Sequence, residues 1–209
     1  MARYTKAVCR LCRREGQKLF LKGDRCNGPK CSLDKKAYPP GMHGGGRRRG
    51  RRPSDYAMQL REKQKLRTTY GVLERQFRRY VARAVKSKGV SGFILLQLLE
   101  RRLDSVVRKA GLAASQAQAR QLILHRHFTI NGKPVNVPSI LLDEGDVIEV
   151  REKSHDLTPI VAAIGRGAQG PGWMDVDSNA RRVTITRLPE PDDIALDIDE
   201  QQVIEFYAR

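Results

Sequence analysis

The stretch SQAQARQLILHRHFTINGKPVNV, residues 115–137, switches hydrophobic period partway along, and that switch decides the fold class. Ser115 and Gln118 have the spacing of a capping box, and Leu122, Ile123 and Leu124 follow as the apolar part of a helix. From Phe128 the pattern becomes that of strands: Phe128-Thr129-Ile130, an Asn131-Gly132 turn, then Lys133 to Val137. Asn-Gly is the strongest short hairpin signal because both central residues of a type I′ turn need positive φ.

Outward from this stretch, a further strand is expected at Val147–Val150, after a turn at Glu144-Gly145-Asp146. Upstream, Phe93 to Ala110 reads as one amphipathic helix stopped by Gly111. Helix, turn, helix and a small twisted sheet make an α+β unit over 99–160, small enough to fold alone.

Residues 46–98 are expected to form a basic helical region. Ser54 after Pro53 can cap a helix running through Tyr56, Leu60 and Lys63. A second helix, near Glu74 to Lys86, places Phe77, Val81, Ala84 and Val85 on its apolar side and Arg75, Arg78, Arg79 and Arg83 on the others. Residues 161–209 read as an irregular, β-rich part packing back on the helical region. Its strands are expected at Val183–Thr186 and Val203–Tyr207, joined by an acidic segment with Asp192, Asp193, Asp197, Asp199 and Glu200, and Trp173 is expected to cover a core edge.

All four cysteines lie in the first 31 residues, as Cys9-x2-Cys12 and Cys26-x4-Cys31. Two short pairs separated by a loop can place four thiolates tetrahedrally, and a segment this poor in apolar residues needs such help to fold. Residues 1–45 are therefore expected to form a structural metal knuckle and basic arm, with zinc the default and an iron-sulfur cluster the alternative. Two disulfides or four unrelated thiols are the competing readings. Disulfides need an oxidising compartment, whereas the N-terminus lacks the apolar core of a secretory signal and the longest apolar run cannot span a bilayer, so a cytosolic chain is expected.

The net charge is +17, and its distribution says more than its size. Residues 1–90 hold 26 Lys or Arg against 6 Asp or Glu, while residues 91–209 hold 14 against 17. The first part repels itself unless it meets a polyanion, and Arg-rich segments suit phosphate oxygens best. Nucleic acid is favoured over a membrane surface because the basic helices have no broad apolar stripe to insert. Lys6, Arg10, Arg13 and Arg14 in the knuckle and Arg47, Arg48, Arg49, Arg51 and Arg52 in the arm are the expected phosphate contacts, with Arg3 beside them. Arg61, Lys65 and Arg67 belong to the helices expected to dock on folded RNA.

These blocks resemble one family. The Cys knuckle, YPPGxH at 38–43, RRPSDY at 51–56, EKQKLR at 62–67, LExRLD at 99–104, ARQL at 119–122 and VIEFYxR at 203–209 are similar to the fourth protein of the bacterial small ribosomal subunit. The resemblance covers the whole chain. It implies a non-enzymatic, cytoplasmic constituent of that subunit, binding 16S ribosomal RNA early in assembly at a helix junction of the 5′ domain. It further implies a place near the path of messenger RNA, contact with the fifth small-subunit protein, an influence on decoding accuracy and repression of its own messenger. Neither a membrane nor a small-molecule substrate is implied. The unit at 99–160 resembles the RNA-binding module also found in pseudouridine synthases and some tRNA synthetases. That module's basic face maps onto Arg101, Arg102, Arg108, Lys109, Arg120, His125 and Arg126. The chain departs from the pattern at Gln116 and Ala117, where basic residues are usual, and at Arg126, where Gly is usual.

Other motifs carry no chemistry. Gly165-x-Gly167-x-x-Gly170 lacks a preceding strand and is followed by Pro171-Gly172, so it reads as a loop rather than a dinucleotide fingerprint. Ser154-His155-Asp156 are neighbours in sequence and cannot form a relay. His125 and His127 suit RNA contact or solvent better than a metal, and His43 is at most a spare ligand. The rival functions are an RNA-targeting protein outside the ribosome, either RNA-modifying or a regulator of DNA or RNA. The first would need a catalytic domain for which no region shows the pattern.

Overall fold

The computed structural model describes residues 4–45, 54–167, 170–194 and 196–208. Its helices are α1 Cys9–Glu15, α2 Asp24–Asn27, α3 Ser32–Lys35, α4 Asp55–Thr69, α5 Glu74–Lys86, α6 Ser91–Glu100, α7 Leu103–Lys109, α8 Gln116–Leu124, α9 Thr158–Ile164 and α10 Glu200–Ala208. The strands are β1 Phe128–Ile130, β2 Lys133–Val135, β3 Val147–Val150, β4 Met174–Asp177 and β5 Arg182–Ile185. The chain divides into two compact units, Met1–Leu95 with Asp197–Arg209, and Leu96–Leu196.

In the first unit Ser54 caps α4 as expected, its hydroxyl accepting from the Ala57 amide at 3.3 Å. One side of α5 buries Phe77, Tyr80, Val81 and Ala84. The segment 203–207, expected as a strand, is helical within α10. Its β-branched and aromatic residues mimic a strand locally, but Val203, Phe206 and Tyr207 recur three and four apart, and the face they make packs beside α4. Gln59 Nε2 donates to Glu205 Oε2 at 3.0 Å across that contact, and Asp199 Oδ1 accepts from the Gln202 amide at 3.1 Å at the helix start. A Cβ at Gly92 would lie 2.5 Å from Glu200 Cγ, so a larger residue there would displace the Glu200 side chain.

The second unit joins α7 and α8 to an antiparallel sheet ordered β2-β1-β3-β5-β4. The Asn131-Gly132 turn has φ of 50° and 76°, the positive pair its sequence demands. Leu103, Val106, Val107, Leu122 and Ile123 from the helices pack on Phe128, Ile148, Val150, Val183 and Ile185 of the sheet. Three expectations are corrected here. The single helix expected over 93–110 breaks between α6 and α7, where Arg102 is extended (φ −66°, ψ 137°) and the Leu103 and Asp104 amides donate to Ile140 and Pro138 carbonyls. The division expected after residue 160 cuts through one sheet, because β5 pairs with β3 through Ile148 and Val183. Trp173 is fully buried within the core rather than at its edge, and its Nε1 has no hydrogen-bond partner among the described residues.

Candidate nucleic-acid interface

On α5, Arg75, Arg79, Arg83 and Lys86 are all exposed. Their spacing of four, four and three residues stacks them along one face of the helix. Burying Phe77, Tyr80, Val81 and Ala84 on the other side leaves the stripe no role in packing. Arg78 folds back to an acid, Nε lying 3.4 Å from Glu74 Oε1. In the sequence these residues count only as the polar side of a helix; the regular spacing of the arginines was the available signal.

The other first-unit candidates are more committed. Arg61 meets Glu15 at 3.2 Å, Lys65 meets Glu62 at 2.5 Å and Arg67 meets Glu74 at 3.4 Å. Burial pushes the Glu15 carboxyl up, against the pull of Arg61. Lys6, Arg10 and Arg14 are exposed. Arg13 acts instead as a staple: Nε donates to the Tyr38 carbonyl at 3.0 Å, and the guanidinium lies 4.7 Å from the Tyr38 ring centroid. Arg3, Arg47, Arg48, Arg49, Arg51 and Arg52 lie outside the described residues.

Cys12, Cys26 and Cys31 are buried and Cys9 is partly buried, all as free thiols. Among the described residues of 4–45, Leu19 is the only other buried apolar side chain, so sulfur makes up most of this small core. Burial pushes the Cys12 thiol up, and the nearby Cys26 and Cys9 add to the shift, while the Lys22 amide donates to Cys26 Sγ at 3.3 Å. The donor set matches the thiolate chemistry of zinc. Among the described residues, however, no three His, Cys, Asp or Glu side chains are gathered as a metal site.

In the second unit the candidates divide. Arg102 and Arg120, expected on the RNA-facing surface, are interior: Arg102 is fully buried and Arg120 nearly so, both turned to the buried Asp104. Burial pushes the Asp104 carboxyl up, against the attraction of those two guanidinium groups. A basic residue next to an apolar run reads as surface until an acid two positions away is seen folding inward with it. Arg101 pairs with Asp143, and Lys109 meets the buried Glu100 at 2.6 Å. Arg108 is half-buried, and His125 and Arg126 are exposed. Gln116 is buried with Nε2 3.3 Å from Ser105 Oγ, so it faces inward. His127 Nδ1 sits 2.9 Å from Ser154 Oγ, and burial with His125 nearby holds its pKa down.

A motif invisible from sequence joins Lys63, Glu74 and Tyr207. Lys63 is buried, reaches Glu74 at 3.0 Å and lies 4.7 Å from the Phe206 ring centroid, while the Tyr207 hydroxyl donates to Glu74 Oε1 at 2.7 Å. Burial together with this bond drives the Tyr207 phenol well above its ordinary value.

No helix among the described residues is long and apolar enough to cross a membrane. A chain that carries basic helices in one unit and a small α+β fold in the other has the make-up of an RNA-binding protein, and family comparison gives the family. Residues 3–100 match the model for the ribosomal protein S4/S9 N-terminal domain, and residues 101–148 match the S4 domain. The chain is 54% identical to small ribosomal subunit protein uS4A of Symbiobacterium thermophilum over 212 residues, covering all of both chains. It is 53% identical to uS4 of Desulfitobacterium hafniense and 52% identical to uS4 of Thermus thermophilus, again over full length. The chain belongs to the uS4 family of small ribosomal subunit proteins, whose role is structural rather than enzymatic.

Proposed function

We propose that this chain is a structural constituent of the small ribosomal subunit in the cytoplasm and binds 16S ribosomal RNA early in assembly. The observation that carries this is the exposed stripe Arg75, Arg79, Arg83 and Lys86, in a chain similar to uS4 proteins along its whole length. Guanidinium forks on one helix face, without an apolar stripe beside them, favour phosphate oxygens of folded RNA. Lys6, Arg10 and Arg14 extend the same chemistry to the knuckle.

The four cysteines hold zinc in this reading. Three buried sulfurs and Leu19 are too little apolar matter to keep 4–45 folded, and a tetrahedral thiolate site supplies what burial does not. Zinc here would be a clamp on shape. By family resemblance the protein further sits near the messenger RNA path, touches the fifth small-subunit protein, affects accuracy and regulates its own messenger.

The test is competition binding of the full chain to a transcript of the 16S 5′ domain against duplex DNA, with fractionation of a lysate. Tighter binding to the transcript and sedimentation with small subunits support the proposal. Preference for DNA, or migration free of ribosomal particles, would instead favour a regulator working outside the ribosome.

A further inference from the structure

We propose that the end of the sheet where β3 stops is a second contact for the RNA phosphate backbone, built from Arg126, Arg151 and Arg181. The inference deepens the RNA-binding reading above and rests on it.

Four non-glycine residues among those described have positive φ: Phe20, Arg126, Asn131 and Arg181. Asn131 belongs to the hairpin turn that calls for it. Arg126 is the left-handed residue that closes α8, its amide and that of His127 donating to the Ile123 and Leu122 carbonyls, and Arg181 ends the turn between β4 and β5; at φ of 62° and 53° both hold arginine where glycine fits without a steric penalty. Each turn would form at lower cost with glycine, so an arginine at both, at the same end of one sheet, points to use of the side chain.

The topology brings the two together. Arg126 lies just before β1 and Arg181 just before β5, and those strands flank β3 on either side. The Arg126 carbonyl accepts from Arg151 Nη1 at 3.1 Å, and the Arg181 carbonyl accepts from the Val150 amide at 3.1 Å. Arg151 also donates its amide to the His127 carbonyl at 3.0 Å, so it ties the 126–127 turn to the end of β3. Both strained carbonyls are thus spent on the end of β3. The Arg126 and Arg181 guanidinium groups have no side-chain partner among the described residues.

The charge around them is cationic. Glu149 is matched by Arg182 at 2.7 Å and Asp177 Oδ1 accepts from the Asn179 and Ala180 amides, which leaves Glu152, Asp156 and Asp177 as the exposed acids against Arg126, Arg151, Arg181, Lys153 and the exposed His125. No aromatic side chain other than histidine lies in this set, so it lacks a stacking platform for bases. Two interstrand spacings separate the flanking arginines, roughly 10 Å. That span suits successive phosphates of one strand better than a single anion.

The test measures binding of the full chain to the 16S 5′-domain transcript across a range of salt, for the parent, Arg126→Gly, Arg181→Gly and the double variant. Each single variant should weaken binding roughly fivefold near 0.15 M salt and lower the salt slope by about one, the double by about two. The melting temperature of Arg126→Gly should hold or rise, because glycine relieves the left-handed strain. Unchanged affinity and slope in the variants, with the parent still steeply salt-dependent, overturns this site and leaves the RNA-binding reading standing. A falling melting temperature in Arg126→Gly also overturns it, by making the residue structural. A parent that ignores salt overturns both.

Discussion

Arg102 and Asp104, both fully buried, face each other as a two-point pair, with Nε to Oδ1 at 2.9 Å and Nη2 to Oδ2 at 2.5 Å. The pair sits where α6 gives way to α7, and Arg120 approaches the same carboxylate at 3.8 Å. An ion pair in the interior contributes little net stability, but breaking it leaves a charge with too few partners. Arg102→Ala should therefore cost about 3–5 kcal/mol in urea unfolding. The loss should be smaller in Arg102→Met with Asp104→Leu and Arg120→Met, which removes all three buried charges. RNA binding measured on the folded fraction should keep its salt slope, which separates this arginine from the surface ones.

The α5 stripe makes a contrasting prediction. Replacing Arg75, Arg79 and Arg83 with Gln keeps helix propensity close to that of Arg, so circular dichroism and melting should hardly change. Binding to the 16S 5′-domain transcript should fall, with the slope of log K against log salt dropping by about 0.9 for each phosphate that is no longer neutralised. An unaltered slope would remove α5 from the interface.

The knuckle prediction concerns metal. Elemental analysis of the purified chain should give one zinc, reduced in Cys9→Ser and Cys26→Ser. Chelation should speed amide exchange over 4–45 and leave 96–196 protected, since sulfur ligation supplies the missing core of the former only. Zinc content indifferent to both substitutions would refute the ligand set.

Glu74 predicts an acid limb of stability. Burial works to raise its pKa, but hydrogen bonds from Tyr207 and Lys63 and the Lys63 charge outweigh it and hold the carboxyl below its ordinary value of 4.5. The unfolded chain therefore binds the proton more readily than the folded one. The Glu74 contribution is present above pH 4.5 and is lost as pH falls through the lower, folded value. Glu74→Gln should flatten that limb in melts between about pH 3 and 6. Tyr207→Phe, which deletes a bond to a charged acceptor, should cost about 1.5–3 kcal/mol at neutral pH.

What local sequence determined is what local physics controls. The period change at Phe128, the Asn131-Gly132 turn and the Ser54 and Ser115 caps each act within a few residues, and all are in place, the Ser115 hydroxyl accepting from the Gln118 amide at 3.3 Å. The concentration of cations before residue 90 likewise needed no coordinates, because charge sums along a chain whatever its fold.

Only tertiary structure decided the fate of individual side chains. It made Val203–Tyr207 helical, because packing beside α4 outweighs a propensity difference of about 1 kcal/mol. It drew Arg102 and Arg120 inward to Asp104 while leaving Arg75, Arg79 and Arg83 outside, a division that composition cannot make because each is the same residue beside apolar neighbours. Whether an arginine meets phosphate or a buried acid depends on partners brought close by folding, and those contacts are set by three-dimensional proximity, not by order along the chain.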